Sequence, residues 1–324
     1  MGAQWSQLFP PKPTFTESSL DSQADKVFLV TGGYSGIGYE LVKMLYRKHG
    51  RVYIAGRSEE KARRAIKEIQ TEIPSSKGSL EFLYLELDDL SSIKASADAF
   101  KQKESKLHVL WNNAGVSRPP LGSVSKQGIE LQLATNCLGP FLFTQLLTPL
   151  MKETAATEPP ASVRIIWTSS NYVDLAAPKG GIIMSELDNP PKDQSRNYVN
   201  SKTGNWLLSV ELARRVHSSG IVSVALHPGT ASSNLFRHTP SVKYLAWPLM
   251  YPPKLPAHTE LYAGLSKDIT MELNGCYVVP FGRIADKKNI RKDLLNAFKT
   301  KEEGGSGKAT EFWEFCEEKT RDYC

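Results

Sequence analysis

A glycine-rich segment at residues 31–38, here called the glycine turn, constrains the fold of this 324-residue chain more than any other feature. It reads TGGYSGIG and separates a wholly apolar run at residues 27–30 from a segment with one apolar helical face. A short apolar run of this kind is typical of a buried parallel strand. Glycine permits a tight turn and a close approach of backbone to a pyrophosphate, which the free amides of a helix start attract. The turn therefore predicts a dinucleotide site, with the expected contacts Gly32, Tyr34, Ser35, Gly36, Ile37 and Gly38.

Short apolar runs alternate with longer helical segments from residue 26 onward. This alternation is typical of βα units around a parallel sheet, and right-handed crossovers place helices on both faces of such a sheet. The sequence therefore predicts a doubly wound, mostly parallel α/β fold with seven strands. The predicted strands cover residues 27–30, 52–55, 80–87, 109–111, 164–168, 222–226 and 277–279, and a long helix is predicted at 129–151.

One main domain with a short extension at each end is expected. Residues 1–25 contain three prolines and no regular period, and they predict an arm that packs through Trp5, Leu8 and Phe9. Residues 26–285 are the predicted catalytic domain, and residues 286–324 are a helical C-terminal extension. Residues 230–256 follow the carboxyl end of a strand, where open α/β sheets bind ligands, and are expected to cover the substrate. Their large apolar side chains, which in the alternative only pack a loop, are Phe236, Tyr244, Trp247, Met250 and Tyr251.

The composition, with 40% hydrophobic and 23% charged residues, is that of an ordinary soluble globular protein. The net charge of +6 is spread along the chain without a basic stripe, so no nucleic-acid partner is expected. The four cysteines lack the pair spacing of a metal site and no signal peptide precedes them, so we expect no metal and a reduced, cytoplasmic location. No apolar run reaches the ~20 residues of a membrane helix. The start MGAQWS fits a loose myristoylation pattern, so peripheral membrane contact is expected only if Gly2 is acylated.

The residues after the second predicted strand indicate which dinucleotide binds. NAD enzymes of this architecture usually carry an acidic residue there, about 20 residues past the glycines. This chain has Arg57 and Ser58 instead. A carboxylate would repel a 2′-phosphate, whereas an arginine pairs with it through two parallel charge-assisted hydrogen bonds. The sequence therefore predicts NADP(H) as the cofactor, and the alternative is a solvated arginine at a helix start.

Tyr198 and Lys202 are the candidate acid/base pair, because residues four apart share one face of a helix. A neighbouring ammonium favours the phenolate and is expected to lower the pKa of Tyr198. Ser170 follows the fifth predicted strand, at the sheet edge of the glycine turn, and its hydroxyl can hold a substrate oxygen. Asn136 lies in an apolar helix, where it either supports a water or a carbonyl near Lys202 or is a satisfied core amide.

Together these residues resemble the short-chain dehydrogenase/reductase family over residues 26–279. The joint order and spacing of the motifs carry the resemblance, which is more specific than any one motif. The motifs are the glycine turn, Asn112 to Gly115, Asn136, Ser170, Tyr198 to Lys202 and His227 to Thr230. Residues 85–90 and 136–139 are most similar to the retinol-dehydrogenase-like branch, which includes many fungal members. The resemblance implies a Rossmann fold and a nicotinamide cofactor.

The resemblance also implies roles for individual residues. Tyr198 would give or take the substrate proton, Lys202 would bind ribose and lower the pKa of Tyr198, and Ser170 would orient the carbonyl. Asn136 would support a proton-relay water. The further implied cofactor contacts are Leu87, Asn113, Ala114, Gly115, Tyr198, Lys202, Pro228, Gly229 and Thr230. The family often has an aspartate before leucine near the adenine, but this chain reads ELDD at residues 86–89, so several acids remain candidates.

The predicted function is hydride transfer between NADP(H) and a hydrophobic ketone or aldehyde, or the corresponding alcohol. A lipid, a retinoid-like aldehyde and a secondary-metabolite ketone all remain open as substrates. Two alternatives are a non-redox enzyme of the same fold that isomerises or cyclises, and a cofactor-sensing scaffold whose arm and tail bind a partner. The family commonly pairs through the helices that hold Asn136 and Tyr198, so a homodimer is a further expectation.

Overall fold

The computed structural model describes residues 2–232, 235 and 250–324, and its strands form one sheet. The strands are β1 (Val27–Thr31), β2 (Arg51–Gly56), β3 (Ser79–Tyr84), β4 (Val109–Asn112), β5 (Arg164–Thr168), β6 (Val222–Leu226), β7 (Tyr277–Val279) and β8 (Arg283–Ile284). Their order is β3-β2-β1-β4-β5-β6-β7-β8, and the neighbours from β3 to β7 are parallel. The strand order reverses at β1 and β4, where open sheets of this kind bind ligands beyond the carboxyl ends.

The predicted mostly parallel sheet is confirmed, but it has eight strands in the described part of the chain instead of seven. The additional strand, β8, pairs antiparallel with β7, with Val279 opposite Arg283. A strand of two residues carries no hydrophobic alternation, so the sequence pattern could not indicate it.

The sheet is covered by helices on both faces. The α-helices of the described residues are α1 (Gly2–Leu8), α2 (Gly36–Arg47), α3 (Glu59–Glu72), α4 (Leu90–Lys103), α5 (Leu131–Leu133), α6 (Gly139–Ala155), α7 (Tyr172–Ala176), α8 (Ser185–Asp188), α9 (Gln194–Val216), α10 (Lys254–Leu265), α11 (Lys292–Phe298) and α12 (Lys308–Thr320). The predicted helix at 129–151 is interrupted, because a π-helical turn, Ala134–Leu138, joins α5 to α6. In the described residues, no helix is both long and apolar enough to span a membrane.

Buried apolar side chains form one cluster on each face of the sheet. Side chains of α4, α6, α9, α11 and α12 contribute to one cluster, and those of α2, α3 and α10 contribute to the other. Burial of apolar surface stabilises the fold by roughly 25 cal/mol per Å². The two clusters pack against the strands from both faces, and the loops at the carboxyl edge extend from this framework.

The C-terminal residues complete the core on the α9 face. α12 packs on α9 and on the π-helical turn, and Phe312 and Trp313 of α12 are buried. A Cβ at Gly204 in α9 would lie 2.6 Å from the Phe312 ring, so the glycine permits the close approach. The ring of Trp313 meets Phe141 edge to face at 4.8 Å. The tail therefore covers the surface of α9 instead of extending away from it.

The N-terminal arm begins with a helix, although its sequence shows no helical period. The expected packing through Trp5 and Phe9 is wrong, because these side chains are 65% and 45% exposed. The arm is held instead by polar contacts of the helix. Gln7 Oε1 lies 2.9 Å from His227 Nε2, and the carbonyl oxygen of Ser6 accepts a hydrogen bond from Arg283 at 2.7 Å. The arm helix thus lies against β8 and the loop after β6.

Candidate active site

The glycine turn joins β1 to α2 through a backbone path that glycine favours. Gly32 and Gly36 have φ angles of +69° and +57°, in the left-handed region. A Cβ at Gly38 would lie 2.6 Å from Asn113 Nδ2 and 2.8 Å from the carbonyl oxygen of Gly32. Ser35 precedes α2 without forming a side-chain cap, so the first amides of the helix remain available to an anion. These observations fit the pyrophosphate of a dinucleotide.

The loop after β4 closes one side of the glycine turn. Asn113 Nδ2 donates a hydrogen bond to the carbonyl oxygen of Thr31 at 2.8 Å, and the amide of Ala114 donates to Thr31 Oγ1 at 2.9 Å. A Cβ at Gly115 would lie 3.4 Å from Lys202 Nζ. The structure therefore brings the glycine turn, the β4 loop and Lys202 together at one sheet edge.

Arg57 lies at the carboxyl end of β2, next to the glycine turn. The Tyr34 ring packs over Gly56, where an added Cβ would lie 3.1 Å from the Tyr34 hydroxyl oxygen. Arg57 is 60% exposed, and its guanidinium is 3.8 Å from Asp88 Oδ2. This separation is a weak surface ion pair, which a phosphate with two acceptor oxygens can replace.

The structure distinguishes the three acids that follow β3. Glu86 accepts a hydrogen bond from the Tyr84 hydroxyl at 2.7 Å. Asp89 caps α4, because its Oδ1 accepts from the amide of Ser91 at 3.2 Å. Hydrogen bonds from Ser91 and Lys126 hold the pKa of Asp89 well below its ordinary value. Asp88 is therefore the acid that faces Arg57.

Three further predicted contacts near the cofactor side have structural partners. Ile37 is half-buried and packs against the apolar cluster below the glycine turn. Ser58 caps α3, because its hydroxyl accepts a hydrogen bond from the amide of Lys61 at 3.4 Å. Leu87 is buried, with its backbone against Gly139 at the start of α6. The role of Ile37, Ser58 and Leu87 as cofactor contacts stays a prediction.

Tyr198 lies near the start of α9 and is buried beside Ser170, which is the second residue after β5. Burial raises the pKa of the Tyr198 phenol, and a hydrogen bond with the Ser170 hydroxyl and the charge of Arg118 oppose that rise. Ser170 Oγ also accepts a hydrogen bond from the amide of Tyr172 at 3.2 Å, which orients it. The expected lowering of this pKa by Lys202 is wrong, because burial has the largest effect and the opposing cation is Arg118.

Lys202 lies one helical turn after Tyr198 and is also buried. Its ammonium donates a hydrogen bond to the carbonyl oxygen of Thr168, at the end of β5, at 2.8 Å. Burial lowers the pKa of Lys202 to about 8, and the buried Cys137 and Glu260 act in the opposite direction. The side chain is therefore fixed against the sheet edge, next to Gly115. We call Ser170, Tyr198 and Lys202 the acid/base cluster.

Asn136 lies within the π-helical turn and its amide is fully engaged. Its Oδ1 accepts from the amide of Val116 at 2.8 Å, and its Nδ2 donates to the Val116 carbonyl at 3.0 Å and to Ser201 Oγ at 2.9 Å. The side chain thus ties the β4 loop to α9 directly behind the acid/base cluster. The contact with the Val116 carbonyl agrees with one sequence-based expectation and the full hydrogen bonding agrees with the other, so the role of Asn136 in supporting a water stays a prediction.

Pro228, Gly229 and Thr230 follow β6 at the same edge of the sheet. The Thr230 carbonyl accepts a hydrogen bond from the amide of Tyr251 at 2.8 Å, and the Tyr251 hydroxyl donates to the Leu8 carbonyl at 3.0 Å. The two ends of the expected substrate cover are therefore joined beside the arm. Phe236, Tyr244 and Trp247, on which this expectation depends, lie outside the described residues.

The sequence reasoning missed two charged residues near this cluster. Arg118 follows the β4 loop, and its guanidinium carbon lies 5.6 Å from the centroid of the Tyr198 ring. Glu260 in α10 accepts a hydrogen bond from Thr168 Oγ1 at 2.8 Å, and burial raises the pKa of Glu260 to about 7. The available signals were a charge three residues after Gly115 and a carboxylate at position 260, followed directly by apolar and small residues.

Comparison with known proteins places this geometry in a family. The family model for short chain dehydrogenase matches residues 26–242. A short-chain dehydrogenase/reductase from Pestalotiopsis fici is 45% identical over 97% of this chain and 96% of its own length. A second one, from Phomopsis amygdali, is 45% identical over 98% of this chain and 96% of its own length.

Solved structures share the fold. A crystal structure of an uncharacterized protein from Mycobacterium paratuberculosis has a TM-score of 0.70 and 26% identity, over 95% of this chain and 97% of that one. An NADPH-bound carbonyl reductase from chicken fatty liver has a TM-score of 0.59 and 23% identity, over 80% of this chain and 96% of that one. With the model match and the two fungal relatives, these findings show that the chain belongs to the short-chain dehydrogenase/reductase family of oxidoreductases.

Proposed function

We propose that this protein is an NADPH-dependent reductase of hydrophobic ketones or aldehydes. The observation that carries the proposal is the buried Tyr198 phenol, whose pKa the Ser170 hydroxyl lowers, at the sheet edge that also holds the glycine turn. A proton donor, an orienting hydroxyl and a dinucleotide cradle therefore share one edge. This is the set of parts that a carbonyl reduction needs.

The acid/base cluster supplies the proton side of the reaction. The Ser170 hydroxyl donates a hydrogen bond to the carbonyl oxygen, and the Tyr198 phenol gives that oxygen its proton. Because burial raises the pKa of Tyr198, the phenol is protonated at neutral pH and ready to act as an acid. Lys202, which has a pKa of about 8, is mainly charged at neutral pH and is positioned to bind a ribose hydroxyl. A nicotinamide bound at the glycine turn would supply the hydride.

The preference for the phosphorylated dinucleotide depends on Arg57. Its exposed guanidinium makes only a 3.8 Å pair with Asp88, so two parallel hydrogen bonds to a 2′-phosphate would replace a weak contact. Asp88 lies beside the proposed position of the 2′-phosphate, and its negative charge weakens phosphate binding there. We therefore propose a moderate preference for NADPH over NADH. A comparison of NADPH with NADH in turnover tests this, and equal or better turnover with NADH would contradict it.

The apolar side chains at the mouth of the cluster favour a hydrophobic substrate. The Tyr172 ring lies edge-on to Tyr198, with centroids 6.3 Å apart, and Leu175 in the same short helix is 55% exposed. Residues 230–256 remain the predicted cover of this mouth. A homodimer also remains a prediction, and it would need a surface other than the part of α9 that α12 covers.

The test is NADPH oxidation against a panel of apolar aldehydes and ketones, with matched alcohols and NADP⁺ in the reverse direction. We expect reduction of at least one hydrophobic carbonyl compound, with loss of activity in Tyr198→Phe. Conversion of a substrate without net NADPH consumption would identify a non-redox enzyme instead. Tight cofactor binding without turnover on the whole panel would favour a cofactor-sensing scaffold.

A further inference from the structure

Arg118 is a buried cation on the substrate side of the acid/base cluster, in the loop that follows β4. The residue is 5% exposed. Its guanidinium carbon lies 4.8 Å from the centroid of the Tyr172 ring and 5.6 Å from that of the Tyr198 ring. A guanidinium within about 6 Å of a ring is attracted by its π-electrons. Arg118 therefore contacts the candidate proton donor itself and the aromatic residue next to it.

The position of this arginine is held by hydrogen bonds to the start of α9. Its amide donates to Gln132 Oε1 at 2.8 Å, and its Nε donates to Ser195 Oγ at 3.0 Å. Gln132 in turn donates to the carbonyl oxygen of Gln194 at 3.1 Å. The backbone at Arg118 has a φ angle of +48°, an uncommon conformation for a residue with a Cβ. The loop is thus fastened to the helix that carries Tyr198, a few residues before it.

The charge of Arg118 is poorly compensated compared with that of another buried arginine. Arg164 is equally buried, and its guanidinium donates hydrogen bonds to the carbonyl oxygens of Ala161, Ala263, Ser266 and Ile269. Within residues 2–232, 235 and 250–324, the guanidinium of Arg118 has a side-chain hydrogen bond only to Ser195, and no carboxylate oxygen within 4.0 Å. Burial of a cation without an anionic partner costs free energy, and such a cation interacts strongly with any negative charge that forms nearby.

The groups that face the Tyr198 ring from the neighbouring elements leave one uncommitted cation. Tyr172 in α7 raises the pKa of Tyr198, and Tyr198 in turn raises the pKa of Tyr277 in β7. Asp174 in α7, which burial brings to a pKa of about 6, acts on Tyr277. Lys202 on α9 donates to the Thr168 carbonyl. Arg118, with its guanidinium carbon 5.6 Å from the ring centroid, is the cation whose charge lowers the pKa of Tyr198.

We propose that Arg118 is a positioning residue for proton transfer, whose guanidinium stabilises the phenolate that Tyr198 becomes when it protonates the substrate oxygen. This inference rests on the proposed function. In that step the O–H bond of Tyr198 breaks, an O–H bond forms to the substrate oxygen, and the electron pair stays on the phenolate facing Arg118. The hydride that completes the reduction comes from the reduced nicotinamide of the proposed function.

The experiment measures ionisation of Tyr198 directly in the full chain. Ultraviolet absorbance of tyrosinate is followed against pH, over the range in which circular dichroism shows an intact fold. The difference between the wild type and Tyr198→Phe isolates the signal of this one phenol. Arg118→Gln and Arg118→Lys are each measured in the same way, with and without the additional Tyr198→Phe substitution. The matched control is Arg215→Gln, which removes an arginine that lies 4.5 Å from the centroid of the Trp313 ring, far along α9.

We expect Arg118→Gln to raise the midpoint of Tyr198 ionisation by about one pH unit or more, since a cation within ~4–6 Å shifts a pKa by that order. Arg118→Lys keeps the charge and should recover most of the shift, and Arg215→Gln should leave the midpoint unchanged. An unchanged midpoint in Arg118→Gln overturns the proposal, and so does a wild-type midpoint above the range in which the fold is intact. Because this readout needs no turnover, it stands apart from a failure to reduce any carbonyl compound.

Steady-state kinetics on a neutral ketone provide the second readout. With an active substrate, Arg118→Gln should lower kcat about tenfold, leave KM nearly unchanged, and move the alkaline limb of the kcat profile to higher pH. If the variant instead raises KM for acidic substrates only and leaves the pH profile unchanged, Arg118 anchors a substrate anion and the proposal is wrong. Tyr198→Phe combined with Arg118→Gln should be no slower than Tyr198→Phe alone.

Discussion

The glycine turn and the acid/base cluster lie at the same edge of the sheet, but they are made from different parts of the chain. The glycine turn is one continuous segment whose backbone approaches Asn113 because Gly38 has no Cβ. The acid/base cluster combines one side chain that follows β5 with two on α9, and Arg118 approaches it from the loop after β4. A backbone cradle depends on the absence of side chains, whereas a proton-transfer site depends on their exact burial and partners.

The two regions also differ in their electrostatics. At the cofactor side, Arg57 is 60% exposed and water screens its charge. At the acid/base cluster, Tyr198, Lys202 and the adjacent Arg118 are all buried. Burial raises the pKa of Tyr198 and lowers that of Lys202, and both shifts favour the neutral side chain. Single substitutions should therefore have larger effects on turnover at the acid/base cluster than on cofactor affinity at the glycine turn. The predictions below test that difference.

The largest effect is expected for Tyr198→Phe. Removal of the proton donor should lower kcat by about 10²–10⁴-fold, the usual contribution of general acid–base catalysis. The affinity for NADPH, measured by fluorescence titration, should change little because the glycine turn is unaltered. Tyr323→Phe, near the C-terminus, is the matched control. A variant with full activity would end the assignment of Tyr198 as the acid.

Gly38→Ala should distort the glycine turn and weaken cofactor binding there. The new methyl group would lie 2.6 Å from Asn113 Nδ2, so the turn must open and cofactor binding should weaken about tenfold or more, which corresponds to about 1.4 kcal/mol. At saturating NADPH, kcat should stay within a few-fold of the wild type, because the acid/base cluster keeps its contacts. Calorimetric titration measures the affinity. A large loss of kcat at saturation would show that the two regions are not separable.

Arg57→Gln should alter cofactor choice with a smaller effect. We expect kcat/KM for NADPH to fall about tenfold while kcat/KM for NADH stays constant, because only NADPH carries the 2′-phosphate. Asp88→Asn should act in the opposite direction and improve NADPH binding, since its carboxylate lies 3.8 Å from Arg57. Arg63→Gln, whose side chain pairs with Glu59 on the surface of α3, is the matched control. Parallel losses for both dinucleotides would contradict this role.

Glu260→Gln should have the smallest effect on turnover and a clear effect on stability. Burial raises the pKa of Glu260 from 4.5 to about 7, so its contribution to stability is present below pH 4.5 and is lost as the pH rises to about 7. The glutamine oxygen can still accept from Thr168, so the variant should lack this loss and be more stable than the wild type at neutral pH by about 1–3 kcal/mol. Urea unfolding at several pH values measures this, with Glu314→Gln as an exposed control. Equal pH dependence in both proteins would refute it.

The local sequence pattern was sufficient to predict the parallel sheet and the glycine turn. The apolar run before the turn, the glycines within it and the helix after it are consecutive, so their geometry follows from nearest neighbours along the chain. The same reasoning identified Tyr198 and Lys202 as one helical face. It missed β8, the helical arm and the π-helical turn around Asn136, because two-residue strands, short helices and an inserted helical residue leave no period to detect.

The local sequence pattern could not predict which charged groups surround Tyr198 and Arg57. The sequence placed Lys202 next to Tyr198 and led to the wrong cation for the Tyr198 pKa, because spacing on a helix does not show where the ammonium points. In the structure Lys202 points to the Thr168 carbonyl, and Arg118 lies over the phenol ring. Likewise, three acids follow β3, and only their hydrogen bonds show that Asp88 faces Arg57.

The sequence by itself determined the parallel α/β framework, the glycine turn and the residue types of the acid/base cluster, since each depends on neighbours close along the chain. Tertiary structure alone decided which charges face the Tyr198 phenol and how deeply the phenol is buried. These quantities depend on the loops after β4 and β5 and on α9, which meet only when the sheet is assembled. Electrostatic energy depends on the distance between charges and on their burial. Both are properties of the folded structure, and the spacing of residues along the chain does not reveal them.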